Sequence, residues 1–193
     1  NNIGDEGAKA IGGALAVNGV LTFLDVGFNI LTEEAALGIV RVERQRNKLT
    51  SLGLGRCSIG PTGAAEIAKY VSGSGVLTNL DIWGNQIGDE GAKALASALR
   101  VKGVLKVLIL QNNSISPTGA IALADALKVN NVLTDLNLCK NRIRDKGAAA
   151  IAEALRGNGV LTNLVLRENN IGDEGKGAIR DAVSGRVGFQ LEM

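Results

Sequence analysis

One stretch decides the fold: Leu77-Thr-Asn-Leu-Asp-Ile-Trp-Gly-Asn85-Gln-Ile-Gly-Asp-Glu-Gly-Ala-Lys-Ala-Leu95-Ala-Ser-Ala-Leu-Arg-Val-Lys-Gly103. The rest of the chain repeats it every 28 residues, with no insertion or deletion between residues 1 and 169. Each copy follows the pattern Leu-x-x-Leu-x-Leu-x-x-Asn-x-Ile. The Asn position recurs as Asn1, Asn29, Asn85, Asn113, Asn141 and Asn169, with Cys57 in the remaining place. A fixed period of this length indicates a solenoid of stacked units.

Each unit is predicted to contain one strand and one helix. The Leu-x-Leu portion has a period of two and predicts a short strand with both leucines on one face. Columns such as Leu95 and Leu99, four residues apart, predict one apolar helix face. A single strand cannot bury its apolar face, whereas stacked copies form a parallel sheet that can. The Asn column is expected to be buried and to satisfy backbone groups where the chain leaves the sheet.

The helix ends carry regular punctuation. The N-cap position is expected at Gly4, Thr32, Gly60, Gly88, Ser116 and Gly172. Acidic residues follow in the first turn, where they favour the helix dipole: Asp5, Glu33, Asp89, Asp145 and Asp173. Pro61 and Pro117 occupy the same slot in two units. A left-handed C′ residue is predicted at Gly19, Asn47, Gly75, Gly103, Asn131 and Gly159.

The 28-residue strand and helix unit, with its Asn-x-Ile-Gly-Asp-Glu-Gly-Ala-Lys-Ala turn at Asn85, resembles the leucine-rich repeat family and its ribonuclease-inhibitor-like subclass. The chain is similar to the repeat regions of NOD-like receptors and to the Ran GTPase-activating protein. The resemblance implies an α/β solenoid, a right-handed horseshoe with a parallel β-sheet on the concave side and α-helices on the convex side. It also implies a protein-binding function, carried by surface residues that differ between members.

Composition and motifs argue against several kinds of chemistry. The net charge is +2 with mixed signs, which argues against nucleic-acid binding. No apolar run approaches a membrane span. The absence of histidine removes Ser-His-Asp and Cys-His catalysis and most zinc sites, and no P-loop motif occurs. We therefore expect no enzyme activity, no cofactor, no metal and no small-molecule substrate.

The two cysteines are expected to be unpaired. Cys57 and Cys139 lie three repeats apart, so adjacent strand spacing places them roughly 15 Å apart. A disulfide needs Cα atoms within about 7 Å. Unpaired thiols fit the cytoplasm or another reducing intracellular compartment.

The second unit departs from the pattern at Glu43, where other helices have Leu or Val. One interpretation is that the helix rotates or frays and Glu43 pairs with a nearby arginine, since a bare buried carboxylate is costly. The other is that the basic segment from Arg41 to Arg46 faces a partner.

The chain is expected to form one repeat domain over residues 1–193. The strand that would precede the first helix and a polar cap are missing, so we expect a fragment of a longer chain. Residues 185–193 are predicted to form a C-terminal cap, in which Phe189 and Leu191 alternate as in a final strand.

Function is predicted to lie on the concave face, where residues beside the strand leucines point outward. The only Trp, Trp83, lies there near Arg and aromatic residues, which are the usual anchors of protein interfaces. The alternative is that Trp83 merely covers the sheet beside two glycines. The candidate partner-binding residues are Phe28, Arg56, Asp81, Trp83, Ile109, Gln111, Lys140 and Arg167.

The leading functional hypothesis is a non-catalytic scaffold that binds a protein partner through this face, as a subunit or segment of a larger assembly. The alternative is a small-GTPase regulator, which the similarity to the Ran GTPase-activating protein alone implies. In that case Arg56 and Arg167 are the candidates for a residue supplied to the nucleotide site.

Overall fold

The computed structural model describes residues 1–101 and 103–193. Within them, seven helices alternate with seven three-residue strands. The helices are α1 (Gly4–Val17), α2 (Glu33–Arg46), α3 (Pro61–Gly73), α4 (Gly88–Leu99), α5 (Pro117–Leu127), α6 (Arg144–Gly157) and α7 (Asp173–Val183). The strands are β1 (Phe23–Asp25), β2 (Ser51–Gly53), β3 (Asn79–Asp81), β4 (Val107–Ile109), β5 (Asp135–Asn137), β6 (Asn163–Val165) and β7 (Gln190–Glu192).

The strands form one open parallel sheet in chain order, from β1 to β7. The central leucines are in register, so that Leu24 pairs with Leu52 and Leu52 with Leu80. These leucines point toward the helices and are almost fully buried from β2 to β6. The predicted α/β solenoid is therefore confirmed. The predicted final strand is also confirmed, with Leu191 opposite Leu164.

The Asn column is buried as predicted from Asn29 onward, whereas Asn1 is exposed, and its side chains link successive turns. Asn85 Oδ1 accepts hydrogen bonds from Cys57 N–H and Ile59 N–H, both at 3.0 Å. Its Nδ2 donates to Leu54 O at 3.0 Å and to Ile82 O at 2.8 Å. Cys57 breaks the column because a thiol cannot supply the amide acceptor that Asn85 supplies.

The acidic residues of the first helical turn cap the next helix rather than acting only on their own dipole. Their carboxylates accept hydrogen bonds from the N-termini of α2, α3, α5 and α7: Asp5 from Thr32 N–H at 2.9 Å, Glu33 from Gly60 N–H at 2.9 Å, Asp89 from Ser116 N–H at 2.8 Å and Asp145 from Gly172 N–H at 2.8 Å. The predicted N-caps at these four helices are confirmed.

The helices α4 and α6 begin differently, because the helix before each of them has a proline in place of the acidic residue. After Pro61 and Pro117, the next helix starts with a left-handed residue, Gly88 (φ 57°) or Arg144 (φ 54°). The Gly88 N–H then donates to Asn113 O at 3.1 Å. Gly4 (φ 62°) behaves in the same way, so the N-cap prediction was wrong for Gly4 and Gly88.

The prediction of left-handed C′ residues holds only at Asn47 (φ 50°). At four of the other positions the preceding residue closes the turn with its side chain: Asn18, Ser74, Asn130 and Asn158. Asn158 Oδ1, for example, accepts from Val160 N–H at 2.9 Å and Leu161 N–H at 2.8 Å, with its own backbone extended. These side chains supply the bonds that a left-handed residue would otherwise arrange, so the following Gly does not need a positive φ.

Glu43 and Arg46 together replace this capping side chain in the second unit, where Arg46 stands in the Asn158 column. Glu43 Oε1 accepts from Lys48 N–H at 2.5 Å and Leu49 N–H at 2.6 Å. Its other oxygen pairs with Arg46 at 2.7 Å, and both side chains are buried. The predicted pairing is confirmed, but the helix neither rotates nor frays, because α2 runs to Arg46 with Glu43 on the buried face.

Candidate protein-binding face

The surface opposite the helices is formed by the residues that flank the central leucine of each strand. Because strand side chains alternate between the two faces, these flanking residues point away from the core. We call this surface the sheet face. It also includes the two residues that follow each Leu-x-Leu pattern, for example Trp83 and Gly84 in the third strand unit. It runs from Phe23 on β1 to Glu192 on β7.

Three of the predicted residues form one cluster on the sheet face. The Phe28 and Trp83 rings lie 4.7 Å apart between centroids and are tilted by 55°. The Arg56 guanidinium carbon lies 5.1 Å from the Phe28 centroid and 5.3 Å from the Trp83 centroid. These distances allow aromatic and cation–π attraction, so the three side chains hold one another in place. We call this group the aromatic cluster.

Local backbone geometry and two glycines explain why these side chains meet. Phe28 (φ 59°), Arg56 (φ 55°) and Gly84 (φ 67°) share one column of left-handed residues that follows the strands. A Cβ on Gly55 would lie 2.2 Å from Trp83 Nε1, so only glycine leaves room for the indole. A Cβ on Gly84 would lie 2.9 Å from Arg56 Cγ. Trp83 therefore covers Gly55, as the alternative interpretation expected, and it also contacts Phe28 and Arg56.

The cluster leaves apolar surface exposed. Phe28 is 56% exposed, although it packs against both Arg56 and Trp83. Arg56 is exposed and Trp83 is half-buried. An exposed Phe beside Arg and Trp combines the residue types that most often anchor protein interfaces.

Asp81 lies beside the aromatic cluster, and its side chain stabilises the turn that begins at Trp83. Asp81 Oδ1 accepts a hydrogen bond from Trp83 N–H at 3.0 Å. Asp25 makes the same bond with Gly27 N–H at 2.8 Å. Burial raises the pKa of the Asp81 carboxyl; the Trp83 hydrogen bond opposes that rise, and the negative charge of Asp25 adds to it.

The two carboxylates approach each other across a glycine. Gly53 lies on β2 between them, and a Cβ there would be 2.5 Å from the Asp25 carboxyl carbon. Asp25 therefore leans over β2 towards β3. A depression of about 160 Å³ opens at this place, with Asp25, Asp81 and Ile109 among its lining residues.

The remaining predicted residues lie further along the sheet face. Ile109 and Gln111 are half-buried on and after β4, next to the strand that carries Asp81. Lys140 lies 3.7 Å from Glu168, and Arg167 lies 3.1 Å from Glu192. The structure thus brings the first six together around β1 to β4, and places Lys140 and Arg167 in separate ion pairs.

The candidate binding residues chosen from the sequence left out two members of this region, Asp25 and Phe23. Both flank Leu24 on the edge strand, and Phe23 is 63% exposed. Asp25 stands in the same repeat column as Asp81, which was a usable signal. Phe23 stands in a column that is otherwise polar except for Val107, and the structure shows that its side chain is exposed.

Neither cysteine has the properties of a reactive thiol. Both are free, as predicted, and both are buried. Burial, together with the smaller effect of the negative charge of Asp25, raises the pKa of the Cys57 thiol to about 12. Burial also raises the pKa of Cys139. Among residues 1–101 and 103–193, no group of three or more His, Cys, Asp or Glu side chains is arranged to hold a metal ion.

The chain belongs to the leucine-rich repeat family. The family model for the leucine-rich repeat matches residues 1–12, 46–68, 76–96, 104–124, 129–152 and 157–179, which is more than half of the chain. None of the curated proteins compared with the chain matches its sequence. Within the described residues, no helix has both the length and the apolar composition required to cross a membrane.

Solved structures that share the fold of this chain include the following two. One is the leiomodin-1 actin-binding site 2, with 18% identity, a TM-score of 0.52 and coverage of 93% of this chain and 87% of that one. The other is the tropomodulin C-terminal domain of Caenorhabditis elegans, with 11% identity, a TM-score of 0.55 and coverage of 91% and 90%. At these identities the likeness establishes the fold alone.

Proposed function

We propose that this protein is a non-catalytic scaffold that binds a protein partner through the sheet face, centred on the aromatic cluster. The observation that carries the proposal is the arrangement of Phe28, Arg56 and Trp83 on a rigid array of strands. Side chains held by one another and by the sheet lose little freedom on binding, which favours affinity. Membership of the leucine-rich repeat family supports a binding function as well.

Affinity capture from native lysate with wild-type protein and Trp83→Ala tests this proposal. We expect a partner that the wild type retains and Trp83→Ala loses, because the substitution removes the largest anchor of the cluster. Arg44→Ala is the matched control, since Arg44 is exposed on α2, away from the sheet face. Circular dichroism of each variant checks that the helices remain intact.

The opposite result has a defined meaning. A partner that Trp83→Ala retains and Arg44→Ala loses would move the interface to the helical face and contradict the proposal. A loss of helical circular dichroism in Trp83→Ala would assign a structural role to Trp83, and Phe28→Ala would then carry the test because Phe28 is the more exposed ring.

The small-GTPase regulator finds less support than the scaffold. Arg56 contacts two aromatic rings and Arg167 lies 3.1 Å from Glu192, so both guanidinium groups already have partners within the chain. Purified protein that stimulates GTP hydrolysis by an added GTPase would support the regulator instead.

A reducing compartment, suggested by the two free cysteines, is part of the scaffold proposal.

A further inference from the structure

The sheet face carries a charge opposite to that of the whole chain. Among the residues that flank the central leucines of the seven strands, the charged ones are all acidic: Asp25, Asp81, Asp135 and Glu192. No Lys or Arg occupies any of these flanking positions. The chain as a whole has a net charge of +2. The residues that follow the strands add Arg56, Lys140, Arg167 and Glu168, so the sheet face has five acidic and three basic side chains, and among these only acidic ones occupy the strand-flanking positions.

One of the four carboxylates is in an ion pair, and a second accepts two hydrogen bonds from neutral side chains. Glu192 lies 3.1 Å from Arg167. Asp135 accepts hydrogen bonds from the Thr134 hydroxyl at 2.5 Å and from Asn163 Nδ2 at 3.1 Å. Asp25 and Asp81 instead accept from backbone N–H groups, and neither forms an ion pair with any residue that the structure describes.

These two carboxylates border the depression of about 160 Å³ over β2 and β3. Its apolar rim comes from Phe23, Val107 and Ile109, and the aromatic cluster lies at the carboxyl end of the same strands. An aliphatic stem with a terminal positive charge matches such a site, because the stem packs on apolar surface while the charge meets the carboxylates.

We propose that the sheet face binds a basic extended segment of its protein partner, with one Lys or Arg side chain placed in the depression between Asp25 and Asp81. The inference rests on the proposed function and adds the chemistry of the partner. The arrangement of charge selects the partner as well as attracting it, because an acidic side chain in the depression would meet Asp25 and Asp81, neither of which is in an ion pair with a described residue.

Another repeat of the chain shows which substitution of Asp81 keeps the local structure. Asn137 stands in the Asp81 column, and its Oδ1 accepts from Cys139 N–H at 2.9 Å, the same turn that Asp81 makes with Trp83 N–H at 3.0 Å. Asp81→Asn thus removes the charge and keeps the turn. Adding Asn137→Asp to it restores the net charge but moves the carboxylate two strands along, about 10 Å away.

The probe is a capped hexapeptide of alternating arginine and glycine, with a capped glutamate–glycine hexapeptide as the negative control. Trp83 is the only Trp, so its fluorescence reports binding at this place. At low salt we expect the basic peptide to change the Trp83 emission and the acidic peptide to leave it unchanged. Asp81→Asn should weaken binding by about three- to fivefold, the range for a partly exposed charge pair.

The charge swap decides between position and net charge. In the Asp81→Asn/Asn137→Asp variant we expect binding to stay as weak as in Asp81→Asn alone. Full recovery would overturn the inference, because net charge rather than the site would then govern binding. Absence of any response to the basic peptide would overturn it too; the scaffold proposal would still stand if Trp83→Ala lost the partner in the capture experiment.

Discussion

Glu43 and Arg46 illustrate, at the residue scale, how two substitutions can exchange one hydrogen-bonding solution for another. In four other units a single Asn or Ser caps the turn that leads from helix to strand: Asn18, Ser74, Asn130 and Asn158. Asn158 does so through Val160 N–H and Leu161 N–H. With Arg46 in that column the acceptor is lost, and Glu43 supplies it from one helical turn earlier. Arg46 then neutralises the buried carboxylate.

Replacing the pair together should therefore be far less damaging than replacing Glu43 alone. We expect Glu43→Leu to destabilise the protein by about 3 kcal/mol, because it leaves Arg46 buried without its counter-charge. Glu43→Leu with Arg46→Asn recreates the arrangement of the Asn158 unit and should lie within about 1 kcal/mol of the wild type. Urea unfolding of the wild type, both single variants and the double variant measures the coupling.

Additive effects of the two substitutions on the free energy of unfolding would contradict this interpretation.

The sequence predicted that Glu43 would pair with an arginine, from the cost of burying a lone carboxylate. It did not predict that Glu43 acts as a cap. That role depends on the positions of Lys48 N–H and Leu49 N–H, which the fold of the chain after α2 brings to the carboxylate.

At the scale of the elements, contacts between neighbouring helices depend on a glycine column that sequence analysis treated only as punctuation. Gly91, Gly119 and Gly147 lie within their helices, one residue before the buried alanines Ala92, Ala120 and Ala148, and Gly175 takes the same place in α7. A Cβ on Gly119 would lie 3.1 Å from Ala92 Cβ and 2.6 Å from Asp89 Oδ1. Glycine at this column therefore lets α5 approach α4 and accept its cap from Asp89.

Two glycine-to-alanine substitutions should consequently have opposite effects. Gly119→Ala should cost about 1–3 kcal/mol, because the methyl group enters a tightly packed contact. Gly38→Ala, in α2, should gain about 0.5–1 kcal/mol, because a Cβ there meets no atom within 4 Å and alanine restricts the unfolded chain. Thermal unfolding of both variants tests the pair.

A stabilising Gly119→Ala would show that the helices separate without loss, and would remove the packing role of the column. The periodicity predicted where the helices lie. It did not reveal which glycines serve backbone conformation and which serve close contact, because both kinds recur with the same period.

At the scale of the whole molecule, burial of a strand leucine depends on having a neighbouring strand on each side. Leu108 on β4 is fully buried, whereas Leu24 on the edge strand β1 is only half-buried. In an array where each unit contacts its neighbours alone, stability is approximately a sum of units and the interfaces between them.

The cost of removing a strand leucine should follow its position in the array. Leu108→Ala should destabilise the protein by about 2–5 kcal/mol through lost burial and a residual cavity. Leu24→Ala should cost about 1–2 kcal/mol, since its side chain already contacts solvent. Equal costs in urea unfolding, or a cost below about 1 kcal/mol for Leu108→Ala, would contradict the packed central strand.

The sequence by itself determined the repeat, the parallel strands, the buried Asn column and the free cysteines, because each depends on periodic contacts between adjacent units. It also indicated Trp83 and Arg56 by residue type and column. The tertiary structure alone decided that Phe28, Arg56 and Trp83 meet, since they come from three units and their contact depends on Gly55, Gly84 and the left-handed backbone beside them. It likewise decided that Asp25 leans over Gly53 towards Asp81, because side-chain direction across strands is set by neighbours that lie 28 residues apart in sequence.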